Sequence, residues 1–506
     1  MNMQNLLRNR FISGGLGGLF ALFLAASLIL GGCGGAGSND NNGSGTEEDS
    51  GVINISLTDA AGDFVSYTVD VLSLTLTKAN GDVVETLPVQ SRIDFAQYTD
   101  MTEFLTAATV PSGVYVKGSI TLDYSNADIW VEGTDGNAVK VNTILDTDGN
   151  PVSTMEASVR LEGRNRLVIA PGIPMHLSLD FDLEASNTIE FDDQGNPTQT
   201  VQPFLLAEVD VESNKIHRVR GPLQSVNLNE SSFQIFIRPF HHPMGDGEGQ
   251  HPFGSLKVLT DEETMYEIDG DSYQGDAGLQ VLALQTRFTA VIVKGSLKFR
   301  PLRFEADEVY AGSSVPGGDM DVVRGSVVAR SGDSLTLRGV TLMRRNGAVV
   351  FNDNVTVLLD ASTTVKKQLS LDTFTKDDIS VGQRLMVFGT ITDDSISNLT
   401  VDAANGYARM LISNIRGTVV TNDDSPAFDL NLTRINGRRV SLYDFSGTGT
   451  DAANDADPTH YEVATSTLDV SGIAVDSPVA VRGFVRPFGT APKDYDAITV
   501  IDRTGM

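Results

Sequence analysis

His241-His242-Pro243-Met244-Gly245-Asp246-Gly247-Glu248-Gly249-Gln250-His251 gathers three imidazoles and two carboxylates within eleven residues. A glycine-rich loop can fold such donors inward on Zn²⁺, Ni²⁺ or Cu²⁺. The spacing matches no ligand motif, so the primary reading is a polar insertion between two strands, with metal or small-ligand binding by loop 241–251 as the alternative. Asp146-Thr147-Asp148-Gly149-Asn150 begins like a calcium loop. Its glycine comes fourth instead of sixth, Pro151 follows, and no glutamate holds the twelfth place, so a hairpin turn is expected. Asp59 with Asp63 reads as a pair of turn caps, and Asp180, Asp182 and Glu184 as one solvated strand face with at most weak calcium affinity. Nowhere does the chain carry G-x-S-x-G, H-E-x-x-H, a P-loop or a dinucleotide fingerprint. Its one tryptophan, Trp130, alternates within Asp128-Ile129-Trp130-Val131, which suits a core or sheet edge and not a sugar platform. Neither an enzyme nor a bound cofactor is expected.

The other residue with chemistry is Cys33, the only cysteine in 506 residues. Before it come Arg8 and Arg10 without an acid, then an apolar run densest from Leu19 to Leu30, then Gly31 and Gly32. A run of ~12 residues fits the core of a signal peptide and falls short of the ~20 that span a bilayer. Leu30-Gly31-Gly32-Cys33 resembles the bacterial lipobox, departing from it mildly in the middle position. The resemblance implies cleavage before Cys33 and acylation of its sulfur, and two or more chains anchor stably. Gly34 in place of aspartate after the cysteine implies, by analogy with lipoprotein sorting, the outer membrane of a bacterial cell envelope.

The net charge of −29 becomes −31 when the two arginines of residues 1–32 are lost. Such acidity excludes nucleic acid bound through its phosphates and repels an anionic membrane surface, so attachment falls to the lipid. Divalent cations remain compatible partners. With Cys33 lipidated no disulfide is available, and folding must rest on burial, for which 41% hydrophobic residues suffice. Residues 33–50 read as a flexible tether reaching on the order of 20–25 Å.

From Val52 apolar residues recur at period two: Ile53, Ile55, Leu57, and later Leu177, Leu179, Phe181 and Leu183. Over Tyr67–Thr77 the parity flips between Val71 and Leu72, which requires burial on both faces or a bulge near Val71. Asn80-Gly81 predicts a tight hairpin. Thr99 to Ala108 is the one short helix expected in this half.

The second half repeats. Val219-Arg220-Gly221, Val323-Arg324-Gly325 and Ile415-Arg416-Gly417 each open a unit, and a second strand glycine follows at Gly295, Gly389 and Gly483, 74, 64 and 66 residues later. Near-constant spacing means three copies of one domain. Glycine within a strand suits a barrel corner or close backbone approach.

ISLTDAAGDFVSYTVDVLSLTL, PSGVYVKGSITLDY and LSLDFDLEASNTI resemble, in that order, a bacterial lipoprotein domain family of unknown function with a transthyretin or carboxypeptidase-regulatory β-sandwich. Ala61 stands where that family often has proline. The repeats, best in VRGSVVARSGDSLTL and DISVGQRLMVFGTI, resemble a second family of unknown function with a small OB-like barrel. The expectation is an all-β chain: signal peptide 1–32, tether 33–50, N-terminal β-sandwich 51–214, then three tandem OB-like barrels at 215–313, 319–412 and 413–506. Its expected role is a lipid-anchored, non-catalytic envelope scaffold, adhesion or protein-recognition module, partnered by the membrane and by an envelope or surface protein.

Overall fold

Valine, isoleucine and threonine at period two, punctuated by glycine turns, leave the backbone no better option than cross-strand pairing. The computed structural model describes residues 49–59, 64–99, 101–211, 215–238, 253–395, 398–422 and 427–504. It is all-β, 58% strand and 8% helical. The Cys33 segment and the 241–251 loop lie outside the described residues.

In the N-terminal part, strand Ser50–Thr58 pairs in parallel with Met175–Phe181 and antiparallel with Met101–Pro111. A second sheet centres on Phe64–Lys78 and Gly113–Glu132. The inward residues of both sheets join one apolar cluster, with Tyr67 from one and Phe181 from the other 6.1 Å apart. The register of Phe64–Lys78 shifts between Val71 and Ser73, so a bulge accounts for the parity flip and lets Val69, Val71, Leu74 and Leu76 all reach the core. Asn80-Gly81 forms the expected hairpin, with Gly81 at φ 97.

Two local expectations fail. Thr99–Ala108 is not a helix: a 3₁₀ turn spans Phe95–Tyr98, and Met101–Pro111 is a strand. That strand lies between Ser50–Thr58 and Ile216–Asn227 and is buried on both faces from Thr102 to Ala107, which erases the period-two signature. The strand expected to run through Leu183 and Glu184 stops at Phe181. Asp182 caps a helical turn over Leu183–Ser186 by accepting from Ala185 N, so Asp180, Asp182 and Glu184 do not share a strand face.

The last repeat closes on itself. Ser413–Thr421 pairs with Ala427–Ile435, that with Tyr461–Ala464, that in parallel with Tyr495–Asp502, and so through Pro478–Val485 back to the first strand. Asp321–Ser331, Ser334–Met343, Val355–Leu358, Thr400–Leu411 and Arg384–Asp393 close in the same order. Both are five-stranded barrels. The same five pairings, again with one parallel, recur among Ile216–Asn227, Ser232–Phe236, Ser255–Leu259, Arg303–Ala311 and Ala290–Lys298. This set belongs to a sheet shared with the N-terminal part, because Ile216–Arg218 pairs in parallel with Met101–Glu103. The core is shared too: Phe104 meets Phe304 at 5.7 Å. The boundary expected at 214/215 is therefore crossed by hydrogen bonds and by packed side chains.

The repeated glycines sit where strands bend closest together. A Cβ at Gly295 would lie 2.0 Å from Glu305 O, at Gly389 2.5 Å from Asp402 O, and at Gly483 2.1 Å from Asp496 O. The register shifts beside each. Gly483→Ala should therefore cost about 3 kcal/mol by overpacking. Gly489→Ala, at a φ of 77 with no atom within 4 Å, should cost only about 1 kcal/mol. Thermal melting of the two variants checks the difference.

Candidate functional site

Where β-units meet, long charged side chains are drawn inward. Glu267, from the strand Met265–Ile268, accepts from Arg409 Nε at 2.9 Å and from the Tyr407 hydroxyl, both on the strand Thr400–Leu411. Arg409 is 3% exposed, donates also to Ser314 O at 2.9 Å, and lies 4.2 Å from the Tyr310 ring centroid. Burial alone would raise the Glu267 carboxyl, but the Arg409 guanidinium outweighs it and holds the group below its usual range. Beside this pair Gln368 donates to Glu308 at 2.7 Å, and Glu308 also accepts from Tyr310 and from Lys294. Burial lowers the Lys294 ammonium, and Glu308 offsets part of that.

A second charged junction ties the N-terminal sheet to both closed barrels. Glu132 pairs with Arg434 at 2.9 Å, and Arg438 reaches Gly136 O and Asp353 at 2.8 Å each. Burial pushes the Asp353 carboxyl up, and Arg438 more than reverses this. Trp130 is neither deep core nor a free platform: it packs on Phe351 at 5.1 Å while its Nε1 donates to Asp128. Between the two closed barrels, Gln383 is fully buried and bridges Leu411 O, Ser413 Oγ and Val485 N. It belongs to the Val-Gly-Gln-Arg turn of the repeat motif.

A third buried polar pair lies in the shared core. His176 and His217 stand 5.8 Å apart, edge to face, beside Phe104. Ser56 Oγ lies 2.8 Å from His176 Nε2, and neither Nδ1 has a hydrogen-bond partner. Burial pushes His176 down to about 3, with His217 adding to the effect, and pushes His217 down to about 4. Both rings are neutral at pH 7.

Asp63, and the turn expected there with Asp59 as its other cap, lie outside the described residues; Asp59 itself is drawn into the core. It is fully buried, accepts from Leu183 N at 3.0 Å, and is pushed up to about 8 by burial, with Asp180 adding to the shift. The Lys215 ammonium donates to Asp59 O at 2.6 Å. Asp146 is the exposed hairpin turn expected, accepting from the backbone of Asp148 and Asn150. Among the described residues, no group of three or more His, Cys, Asp or Glu is placed to hold a metal ion.

One recess opens at the junction of the first and second repeats. Arg220, Arg238 and Phe288 of the first, Met343 and Arg344 of the second, and Val315 of the connection line a cleft of about 140 Å³. Arg220 was visible as the arginine of Val-Arg-Gly, where it reads as a repeat marker; nothing local marks Arg238, Phe288 or Arg344.

No family model, curated protein or solved structure matches this chain.

Glu267→Ala strands a buried guanidinium and should cost about 3–5 kcal/mol. Adding Arg409→Met should recover much of that loss in a double-mutant cycle read by thermal melting. For the histidines the sign follows from depressed folded values. Their contribution is whole above pH 6.5 and is lost as pH falls from 6.5 towards 3, at about 1.4 kcal/mol per pH unit for each ring. Asp59 acts oppositely, its contribution fading as pH rises from 3.8 to about 8. The stability difference between the unaltered chain and His217→Gln should therefore shift against the unaltered chain as pH falls below 6.5, measured by urea unfolding across pH.

Proposed function

We propose that this chain is a lipid-anchored, non-catalytic protein of the bacterial cell envelope whose β-units act together as one recognition scaffold. In this reading a β-sandwich over residues 51–214 is followed by three OB-like barrels at 215–313, 319–412 and 413–506. The repeated pairing order with one parallel contact supports the barrel reading, since closing a short sheet this way removes exposed edges.

The observation that carries the proposal is how the buried charged groups are used. Glu267 with Arg409, Glu132 with Arg434, and Asp353 with Arg438 each join different parts of the chain. A buried pair is costly to break from one side, so such junctions favour one fixed arrangement over beads on a string. A fixed, acidic body on a tether suits presentation to a partner. Attachment in this reading rests on Cys33, which follows the apolar run Leu19–Leu30 and the glycines Gly31 and Gly32. Among the described residues no helix is long and apolar enough to cross a membrane.

Cys33→Ala should abolish fatty-acid labelling and move the protein out of the membrane fraction. Unchanged labelling and partition, or a mature chain that begins elsewhere than Cys33, would overturn the anchor. Crosslinking of the membrane-bound protein should give a reproducible envelope neighbour; none would count against the scaffold.

A further inference from the structure

The helix Gly275–Leu284 buries Leu279 and Leu282 against the first repeat and leaves Leu284 outside. At 83%, Leu284 is the most exposed large hydrophobic side chain among the described residues. Four residues on, Phe288 is 41% exposed with its backbone at φ 75, a strained conformation for a bulky residue. Strain of that kind concentrates where a side chain must be presented. The Phe288 ring stacks on Phe236 at 6.2 Å, and the Arg287 guanidinium lies 4.6 Å from its centroid. The turn Leu228–Glu230 lies beside the same helix and adds Leu228, 52% exposed. Single exposed apolar residues need no explanation, whereas three large ones on a helix end and its flanks mark a contact surface.

Charge sets this surface apart. The chain holds 66 Asp and Glu in 506 residues, yet none from Ala277 to Phe304, a stretch that carries Arg287, Lys294, Lys298, Arg300 and Arg303. Lys294 and Arg303 are taken up by Glu308 and Glu305. Arg287 instead lies over the Phe236 and Phe288 rings, and no carboxylate pairs with it among the described residues. Asp269 approaches Gln285 at 2.8 Å but is held there, accepting also from Ser313 N.

We propose that Leu228, Leu284 and Phe288 enter the interface of the bilayer to which the chain is tethered, with the Arg287 guanidinium on headgroup phosphates. This rests on the lipid-anchored reading and adds to it a second contact that orients the body. Three such side chains bind a membrane only marginally on their own. A tether expected to reach on the order of 20–25 Å from Cys33 makes the contact intramolecular, at an effective concentration that is roughly millimolar. A soluble partner has no such advantage, and a second copy would bring two strongly acidic bodies together. The same acidity disfavours anionic lipid, so the fitting bilayer presents zwitterionic headgroups.

The test uses residues 33–506, the mature chain in that reading, coupled through Cys33 to a maleimide lipid in phosphatidylcholine vesicles. Attachment is then imposed, so the outcome does not depend on acylation in cells, which fatty-acid labelling reads separately. Trp130→Phe with Leu284→Trp leaves one tryptophan. Brominated phosphatidylcholine should quench it at least about threefold more than the tryptophan of Trp130→Phe with Val475→Trp, at a site 52% exposed on the third repeat. Adding Leu228→Asp and Phe288→Gly should remove most of that difference; Phe288→Gly relieves the positive φ, and thermal melting confirms that the fold is kept. Equal quenching at the two tryptophan sites would overturn the proposal. Undiminished quenching in a Leu228→Asp, Phe288→Gly chain would do the same, as would a dimer in vesicle-free solution that Leu284→Asp dissolves, because the patch would then belong to a second copy.

Discussion

A guanidinium taken out of water must be met by a partner or it unfolds the protein around it. Arg409, 3% exposed, is met by Glu267 and Ser314 O from the preceding repeat, and Arg438, 6% exposed, by Asp353 and Gly136 O. These partners come from other units, so each arginine is satisfied only when the units are docked. Hydrophobic contact alone would leave the docking angle loose. A planar fork with fixed donor directions specifies it. In a chain whose one cysteine is Cys33, these forks do at the junctions what disulfides do in many secreted proteins.

Within each unit a different constraint acts. Closing five short strands demands sharp bends, and a bend brings one backbone within contact of the next. Gly295, Gly389 and Gly483 occupy those points because any Cβ would enter a carbonyl oxygen of the neighbouring strand. The repeats differ elsewhere. Among the described residues only the first carries an α-helix between its third and fourth barrel strands, Gly275–Leu284, packed so closely that Gly278 lies against the Tyr266 ring, where the second has a 3₁₀ turn at Lys376–Asp378. Only the first continues its sheet into the N-terminal part. The corner glycines are therefore held constant by geometry, while the outer surfaces vary with what each unit must touch.

That division explains what could be read in advance. Period-two alternation and the glycine spacing are local consequences of pairing and closure, so the all-β class and the repeated glycine strands were legible, and the parity flip at Val71 narrowed that strand to two alternatives that the register decides. The strand Met101–Pro111 was not, because burial on both faces removes the alternation that distinguishes strand from helix. Glu267 and Arg409 are 142 residues apart, and Glu132 and Arg434 are 302 apart. No window of sequence contains both partners, and each acid alone looks like another solvated carboxylate in an acidic chain. Arg220 stood in plain view inside Val-Arg-Gly. Its meaning depended on Glu103, 117 residues away in the N-terminal part, which it meets at 2.6 Å.

The same docking decides where positive charge has its effect. Spread over an acidic surface, each arginine would form a screened pair worth about 0–1 kcal/mol. Drawn into the junctions, Arg409 and Arg438 meet their carboxylates at 2.9 and 2.8 Å, out of reach of most water and salt. The acidic exterior acts on these pairs from farther away, and beyond about 8 Å salt screens it. The net charge of −29 and the buried arginines are thus compatible features of one molecule: the surface acids keep large acidic partners off, while the arginines fix how the units dock.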